Sequence, residues 1–344
     1  MSVSPYKTFI LLFSQETPDE VQKPFSLVTI HDRTYNLGGE SEPLKVTGDP
    51  TEILYEEAME SYQEYQSSNN LQALQVALDN FESALNACRA AGADHPQLAL
   101  TLIHYAIALW TRYSTTGRPD ADLRQTIDFY EEALRSWNKL IPRPTGYPIV
   151  LMNLANAYFE ASNNDHNPMI FQKAISIYKA VREDETFSAQ IHNIALARMG
   201  ITLCTRCRLK KTNDRLNEGI EYLEEALRFA SASSTKDKEL RAFCFVSLAN
   251  ACEVRFQMSG QAEYLTKAID YGYSAREFPQ KGQNERISCL YDLARLLWVR
   301  YQNAGHINDL IDAEKIAKEA KGMVGTGEMM VSIASLLQEI QAQH

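Results

Sequence analysis

The sequence predicts an all-α fold of about six stacked helix pairs, closed by one further helix at the C-terminal end. Three observations carry this. One phrase occurs twice, as LWTRYSTTG at 109–117 and LWVRYQNAG at 297–305. A small residue, a large one four positions on and a small one three positions further recur along the chain. Upstream of five of these triplets lies a doublet, large then small. A catalytic motif seldom needs repeating, whereas a unit that stacks on copies of itself does.

The triplets are Ala77-Phe81-Ala84, Thr126-Tyr130-Ala133, Ala174-Tyr178-Val181, Gly219-Leu223-Ala226, Ala268-Gly272-Ala275 and Ala313-Ala317-Ala320, relaxed in the last two copies. Their first positions lie 45 to 49 residues apart. Offsets of three, four and seven share one helix face, and small residues there admit a close neighbour. This is helix B of each unit. The doublets Tyr105-Ala106, Leu154-Ala155, Met199-Gly200, Leu248-Ala249 and Leu293-Ala294 mark helix A. Gly117, Gly260 and Gly305 fall where A ends and suit a left-handed terminator. Asp122, Asp214 and Asn308 are expected to cap the following helix. Each pair has an apolar face that it cannot bury alone, so neighbours must stack.

The ends read differently. Residues 1–48 do not fit the repeat. FSLVTIHDRTYNLGG at 25–39 is rich in β-formers and bounded by Pro24 and Gly38-Gly39, which suits a hairpin or an extended segment. GDPTEILYEEA then opens a helix, with Asp49 as N-cap, Pro50 in the first turn and Glu52 placed for a capping box. The loop IPRPTGYP at 141–148 takes up some of the long period. At the C-terminal end, GEMMVSIASLLQEIQ at 327–341 puts Met330, Ile333, Leu337 and Ile340 on one face, as a helix covering the open end of the stack would. The organisation expected is therefore a non-repeat segment at 1–48, repeats over 49–322 and a capping helix in 323–344.

Composition sets the function classes. Of 344 residues, 45% are hydrophobic and 23% charged, a globular balance. Asp and Glu number 44 against 34 Lys and Arg, a net charge of −10, which argues against nucleic acid and anionic membranes as partners. The apolar run FILLF at 9–13 is too short for a signal-peptide core, and no run approaches a membrane span. Six scattered cysteines without a secretory signal read as reduced thiols in the cytoplasm.

The pattern of a large–small doublet in helix A and small-x-x-x-aromatic-x-x-small in helix B resembles the tetratricopeptide repeat (TPR), over about 52–322. The period departs from the usual ~34 residues of that family. The consensus Trp and closing Pro are mostly missing. Long-period repeats of this kind look like the arrays found beside caspase-like CHAT domains; no such domain is expected here, because the chain stops about 20 residues after the last repeat. The resemblance implies a right-handed α-α superhelix whose A helices line a concave groove. It selects as groove residues Ile107 and Trp110, then Met152, Asn156 and Phe159, then Ile201 and Cys204, then Asn250 and Glu253, then Arg295 and Trp298. Trp110, Phe159 and Trp298 could equally be core. Asn156, Asn250 and Arg295 would hold an extended peptide's backbone or carboxylate. An apolar groove needs cover, so part of 1–48 is expected to pack on the solenoid, either as a lid in the groove or as a cap on the first pair.

Other features have two readings each. Arg112, Arg206, Arg255 and Arg300 occupy one repeat position, and helix B offers Asp128, Glu221 and Asp270. A row of phosphate-binding arginines is one reading; Arg–carboxylate bridges across each pair, Arg112–Asp128, Arg206–Glu221 and Arg255–Asp270, is the preferred one. Cys204 and Cys207 form a C-x-x-C inside helix A, without the second Cys pair that a zinc site would need, so buried packing is favoured. A Cys204–His192 dyad is conceivable. G-x-S-x-G, H-E-x-x-H and Walker A patterns are absent. The leading reading is a non-enzymatic scaffold that binds a protein or peptide, with no cofactor or metal. The rivals are an enzyme or enzyme subunit with a small-molecule pocket inside the superhelix, and a regulatory partner of a separately encoded protease.

Overall fold

The computed structural model describes residues 49–117, 119–140, 142–144, 146–165, 167–232, 238–277, 283–324 and 328–343. The segment 1–48, with the expected hairpin, lid or cap, lies outside them. The described residues form thirteen helices and no strand: α1 (Pro50–Ser68), α2 (Leu71–Ala91), α3 (Leu98–Thr115), α4 (Asp120–Trp137), α5 (Tyr147–Asp165), α6 (Pro168–Glu183), α7 (Ala189–Lys210), α8 (Leu216–Ala232), α9 (Lys238–Ser259), α10 (Ala262–Glu277), α11 (Gln283–Ala304), α12 (Ile307–Met323) and α13 (Glu328–Gln341). Odd-numbered helices up to α11 are the A helices and even-numbered ones the B helices. The chain divides into two compact units, one ending at Val181 and the other beginning at Arg182.

In the first unit, α1 packs on α2, α2 on α3, α3 on α4 and α4 on α5. Asp49 caps α1 as expected, its carboxylate accepting from the Thr51 amide at 2.9 Å, with Pro50 opening the helix. The triplets lie on the buried face: Ala77, Phe81, Ala84, Ala133, Ala174 and Tyr178 are buried. Burying a ring such as Phe81 contributes ~1.5–3 kcal/mol, while the alanines let the backbones close in. Successive A helices are tied by buried hydroxyls, with Tyr62 and Thr111 bonded at 2.9 Å and Tyr55 bonded to the His104 ring at 3.0 Å.

In the second unit, α7 to α12 repeat the arrangement, and α13 covers the end of the stack. Ile333, Leu336, Leu337 and Ile340 of α13 join the cluster formed by α11 and α12. Gly260 (φ 68°) and Gly305 (φ 71°) terminate α9 and α11 in the left-handed region, their amides returning to Phe256 and Tyr301 carbonyls. The expected caps are corrected. Pro119 and His306 hold the N-cap positions of α4 and α12 without a side-chain bond, so Asp122 and Asn308 lie inside the first turns.

The helices α7 and α8 cross closely at two glycines, Gly200 and Gly219. A Cβ on Gly200 would stand 2.7 Å from the Gly219 carbonyl oxygen and 2.8 Å from Leu223 Cγ. Alanine would gain about 1 kcal/mol of helix propensity, but backbone cannot step aside as a side chain can, so Gly200→Ala is expected to cost a net ~1–3 kcal/mol. Chemical denaturation measures this; a variant as stable as the parent would show that the two helices can separate freely.

Candidate functional site

Three of the repeated arginines, Arg112, Arg255 and Arg300, tie helix A to helix B, but not with the partners that sequence spacing suggested. Arg112 Nε and Nη2 donate to the two Asp122 oxygens at 2.8 and 2.7 Å, and Nη1 donates to Gln75 at 3.0 Å. Arg300 grips Asp309 the same way, at 2.7 Å twice. Each aspartate is the third residue of its helix and buried, where the N-terminal dipole also favours its charge. In α10 that place holds Tyr264, and Arg255 lies 4.9 Å above its ring instead. In α8 the third residue is Glu218, held by Arg215 at 2.7 and 2.8 Å, while Arg206 sits half-buried on α7. Asp128, Glu221 and Asp270 are exposed on the outer faces of their B helices. The bridges Arg112–Asp128 and Arg255–Asp270 are therefore corrected to Arg112–Asp122 and Arg255–Tyr264. The forks of Arg112 and Arg300 are filled by carboxylates, which removes the basis for a phosphate-binding row.

The cysteine alternatives fare similarly. All six cysteines are unpaired and buried. Burial pushes the Cys204 thiol far above its ordinary range and Cys252 up to about 11, so neither is a thiolate at neutral pH. His192 is bonded through Nε2 to the Asp184 carbonyl at 2.9 Å, at the opposite end of α7 from Cys204. Twelve residues of helix separate them by ~18 Å, so they form no dyad.

Of the residues selected as groove-lining, several are core. Trp110 and Met152 are buried, the former beside Tyr113, and Trp298 is buried with its ring stacked on Tyr301 at 5.6 Å. Asn156 accepts a hydrogen bond from Tyr178, and half-buried Phe159 faces Phe171 at 6.5 Å, so both tie α5 to α6. In the second unit the structure brings Glu253 and Arg295 together. Arg295 donates through both terminal nitrogens to both Glu253 oxygens, one of them at 2.6 Å. Asn250 lies one turn before Glu253, on the same face of α9.

A residue that sequence reasoning passed over completes the group. Asp292 lies one turn before Arg295 on α11, 3.8 Å from its guanidinium. The i, i+3 spacing on a helix already marked by Arg295 was the signal that could have found it. The side chains keep 10% (Glu253), 19% (Asp292) and 28% (Arg295) of their exposure. Two carboxylates thus share one arginine. Burial raises the Asp292 carboxyl to about 6, against the pull of Arg295, and the Glu253 charge adds to the rise. Burial also opposes the Arg295 charge, but the hydrogen bonds to Glu253 and the nearby carboxylates outweigh it. Arg208 of α7 also pulls the Asp292 carboxyl down, so burial outweighs two arginines there.

No protein-family model matches the chain, and no curated protein matches it. Among solved structures it is similar to a Podospora anserina kinesin light chain with nearly identical TPR-like repeats, at 14% identity over 67% of this chain and 99% of that one, with a TM-score of 0.45. It is similar to the nuclear import adaptor Nro1 of S. pombe, at 12% identity over 84% and 99% of the two chains, with a TM-score of 0.44. A Parabacteroides merdae tetratricopeptide repeat protein matches at 13% identity over 84% and 99%, with a TM-score of 0.37.

Proposed function

We propose that the chain is a protein-interaction scaffold whose second unit takes an extended peptide across its A helices, with a basic side chain of that peptide seated at Asp292. The observation that carries this reading is the Glu253–Arg295–Asp292 cluster, in which Arg295 is bound through both terminal nitrogens to Glu253 and stands 3.8 Å from the partly buried Asp292. Arg295 is committed to Glu253 and is not available to capture a ligand carboxylate. A lysine or arginine arriving beside Asp292 would give it a closer cation than Arg295 at 3.8 Å, in a site with little water, where a charge-assisted hydrogen bond is strongest. Asn250 offers both a donor and an acceptor to the peptide backbone. In this reading the A helices form the concave side that holds the ligand, as the resemblance of the sequence repeat implies. No helix among the described residues is long and apolar enough to cross a membrane. The six unpaired, buried thiols support a cytoplasmic setting.

A positional peptide library tests the reading. Extended octapeptides that vary one position among Lys, Arg, Ala and Glu are passed over immobilised full-length protein. Lys and Arg pools should be retained and Glu pools should not. Asp292→Asn and Asn250→Ala should each lower that retention about tenfold or more. Retention of Glu pools, or indifference to Asp292→Asn, would remove the basis for a basic-peptide site.

A further inference from the structure

A different feature recurs along the B helices, where three of the five steps between successive ones are stapled by one ion pair. Arg89 of α2 meets Glu132 of α4 at 2.8 Å, Arg182 meets Glu225 of α8 at 3.2 Å, and Arg276 of α10 meets Glu319 of α12 at 2.6 Å. In each the glutamate stands 43 residues after the arginine. From α8 to α10 the corresponding places hold Ser274 and Ser231, and from α4 to α6 they hold Ala180 and Trp137, so both steps lack the pair. At the latter step α4, α5 and α6 line a trough of about 680 Å³. Its floor is apolar, with Leu134, Leu151, Leu154 and Ile177. Its volume lies within the ~300–1,000 Å³ of small-molecule sites.

The rim is not neutral. Lys173 Nζ lies 4.9 Å above the Tyr158 ring and 3.4 Å from its hydroxyl, with no carboxylate within 4 Å among the described residues. Arg135 reaches only one oxygen of Glu131, at 3.8 Å, and the other oxygen of that glutamate accepts the Tyr158 hydroxyl. Two cations therefore border the trough against one carboxylate, in a chain whose net charge is −10. Met169, 71% exposed at the mouth, supplies a flexible apolar side chain that can follow a ligand's shape.

We propose that this trough binds a small amphipathic acid, an aliphatic chain lying along Leu134, Leu151 and Ile177 with its carboxylate at Lys173 and Arg135. Apolar floor and cationic rim together select for both halves of such a molecule. An uncharged alcohol would leave the rim unpaired, and a quaternary ammonium would meet like charge. The site is independent of the cluster around Asp292.

Decanoate below its micellar concentration is the probe, with decanol and decyltrimethylammonium as neutral and cationic controls. Binding to the full-length protein is followed by calorimetry and by the methyl resonance of Met169 in protein labelled at methionine methyl groups. The expected result is saturable binding of one decanoate per chain with a shift at Met169. Decanol and the ammonium should bind about tenfold more weakly or worse, as loss of a charge-assisted bond implies. The surface variants K173Q and R135Q should weaken decanoate about tenfold and leave decanol unchanged, while Asp292→Asn should change neither. Absence of saturable binding, equal binding of decanol, or decanoate binding untouched by both variants would overturn the proposal. Binding that leaves the Met169 methyl unshifted would overturn it as well.

Discussion

Replacing Arg112 by Met is expected to lower the unfolding free energy by about 3 kcal/mol, although the residue is partly exposed and touches no proposed ligand site. The loss comes from what is left behind. Asp122 keeps 5% of its side-chain exposure and receives two charged hydrogen bonds from Arg112. Without them a buried carboxylate remains, stabilised only by the first turn of α4. A buried ion pair contributes modestly when intact, but breaking it from one side strands the other charge. Asp122→Asn should cost less alone, and the double variant should cost clearly less than the sum, with a coupling of ~1–3 kcal/mol in a double-mutant cycle. Two controls sharpen the result. Asp128→Asn should lie within ~0.5 kcal/mol of the parent, because that carboxylate is exposed. Arg255→Met should cost about 1 kcal/mol or less, because Arg255 rests on the Tyr264 ring and strands no charge. Additive effects of Arg112 and Asp122 in urea denaturation would show that the pair does not act as a unit.

The same pair marks how far the sequence could be read. Helix pairing was legible because close packing of backbones requires small residues at fixed offsets, and Ala77, Ala133, Ala174 and Gly219 state that requirement openly. The arginine row was legible too, since one repeat position carries Arg112, Arg206, Arg255 and Arg300. Its partners were not. Two of the acids on α4, Asp122 and Asp128, fall within reach of any loose spacing argument, and only the rotation of α4 about its axis decides which one faces Arg112. Asp122 was read as a cap because residue type alone does not distinguish the residue before a helix from the third residue inside it. The groove aromatics went the same way. Trp110 and Trp298 occupy positions that line a groove in a thin repeat, but longer helices bury them. Asp292 and the trough beside Lys173 were harder for another reason. The first depends on how charge balances between α9 and α11. The second depends on how α4, α5 and α6 pack around Leu134, Leu151 and Ile177, which becomes visible only in space.

Asp292→Asn is expected to make the protein more stable at neutral pH, by up to about 3 kcal/mol at ~1.4 kcal/mol per pKa unit, while it removes peptide binding. Burial holds the Asp292 carboxyl at about 6 in the folded chain, above the ordinary 3.8. A group whose folded pKa is raised binds its proton more tightly in the native state. Its contribution is favourable below pH 3.8 and is lost as pH rises through 6. The aspartate and asparagine forms should therefore be nearly equal in stability below pH 4, diverge between pH 4 and 6, and keep a constant gap above it, with the asparagine form ahead. Thermal or urea unfolding across that range measures the gap; a pH-independent difference, or a less stable variant at pH 7, would show that the carboxylate is not held at a cost. A charge retained at the expense of stability is the signature expected of a binding residue rather than a packing one. A basic side chain that docks there must find Asp292 ionised, so the affinity for a lysine peptide should fall on going from pH 7 to pH 5, with proton release on binding in that window. A peptide that bound equally well at both pH values would be contacting the protein somewhere else.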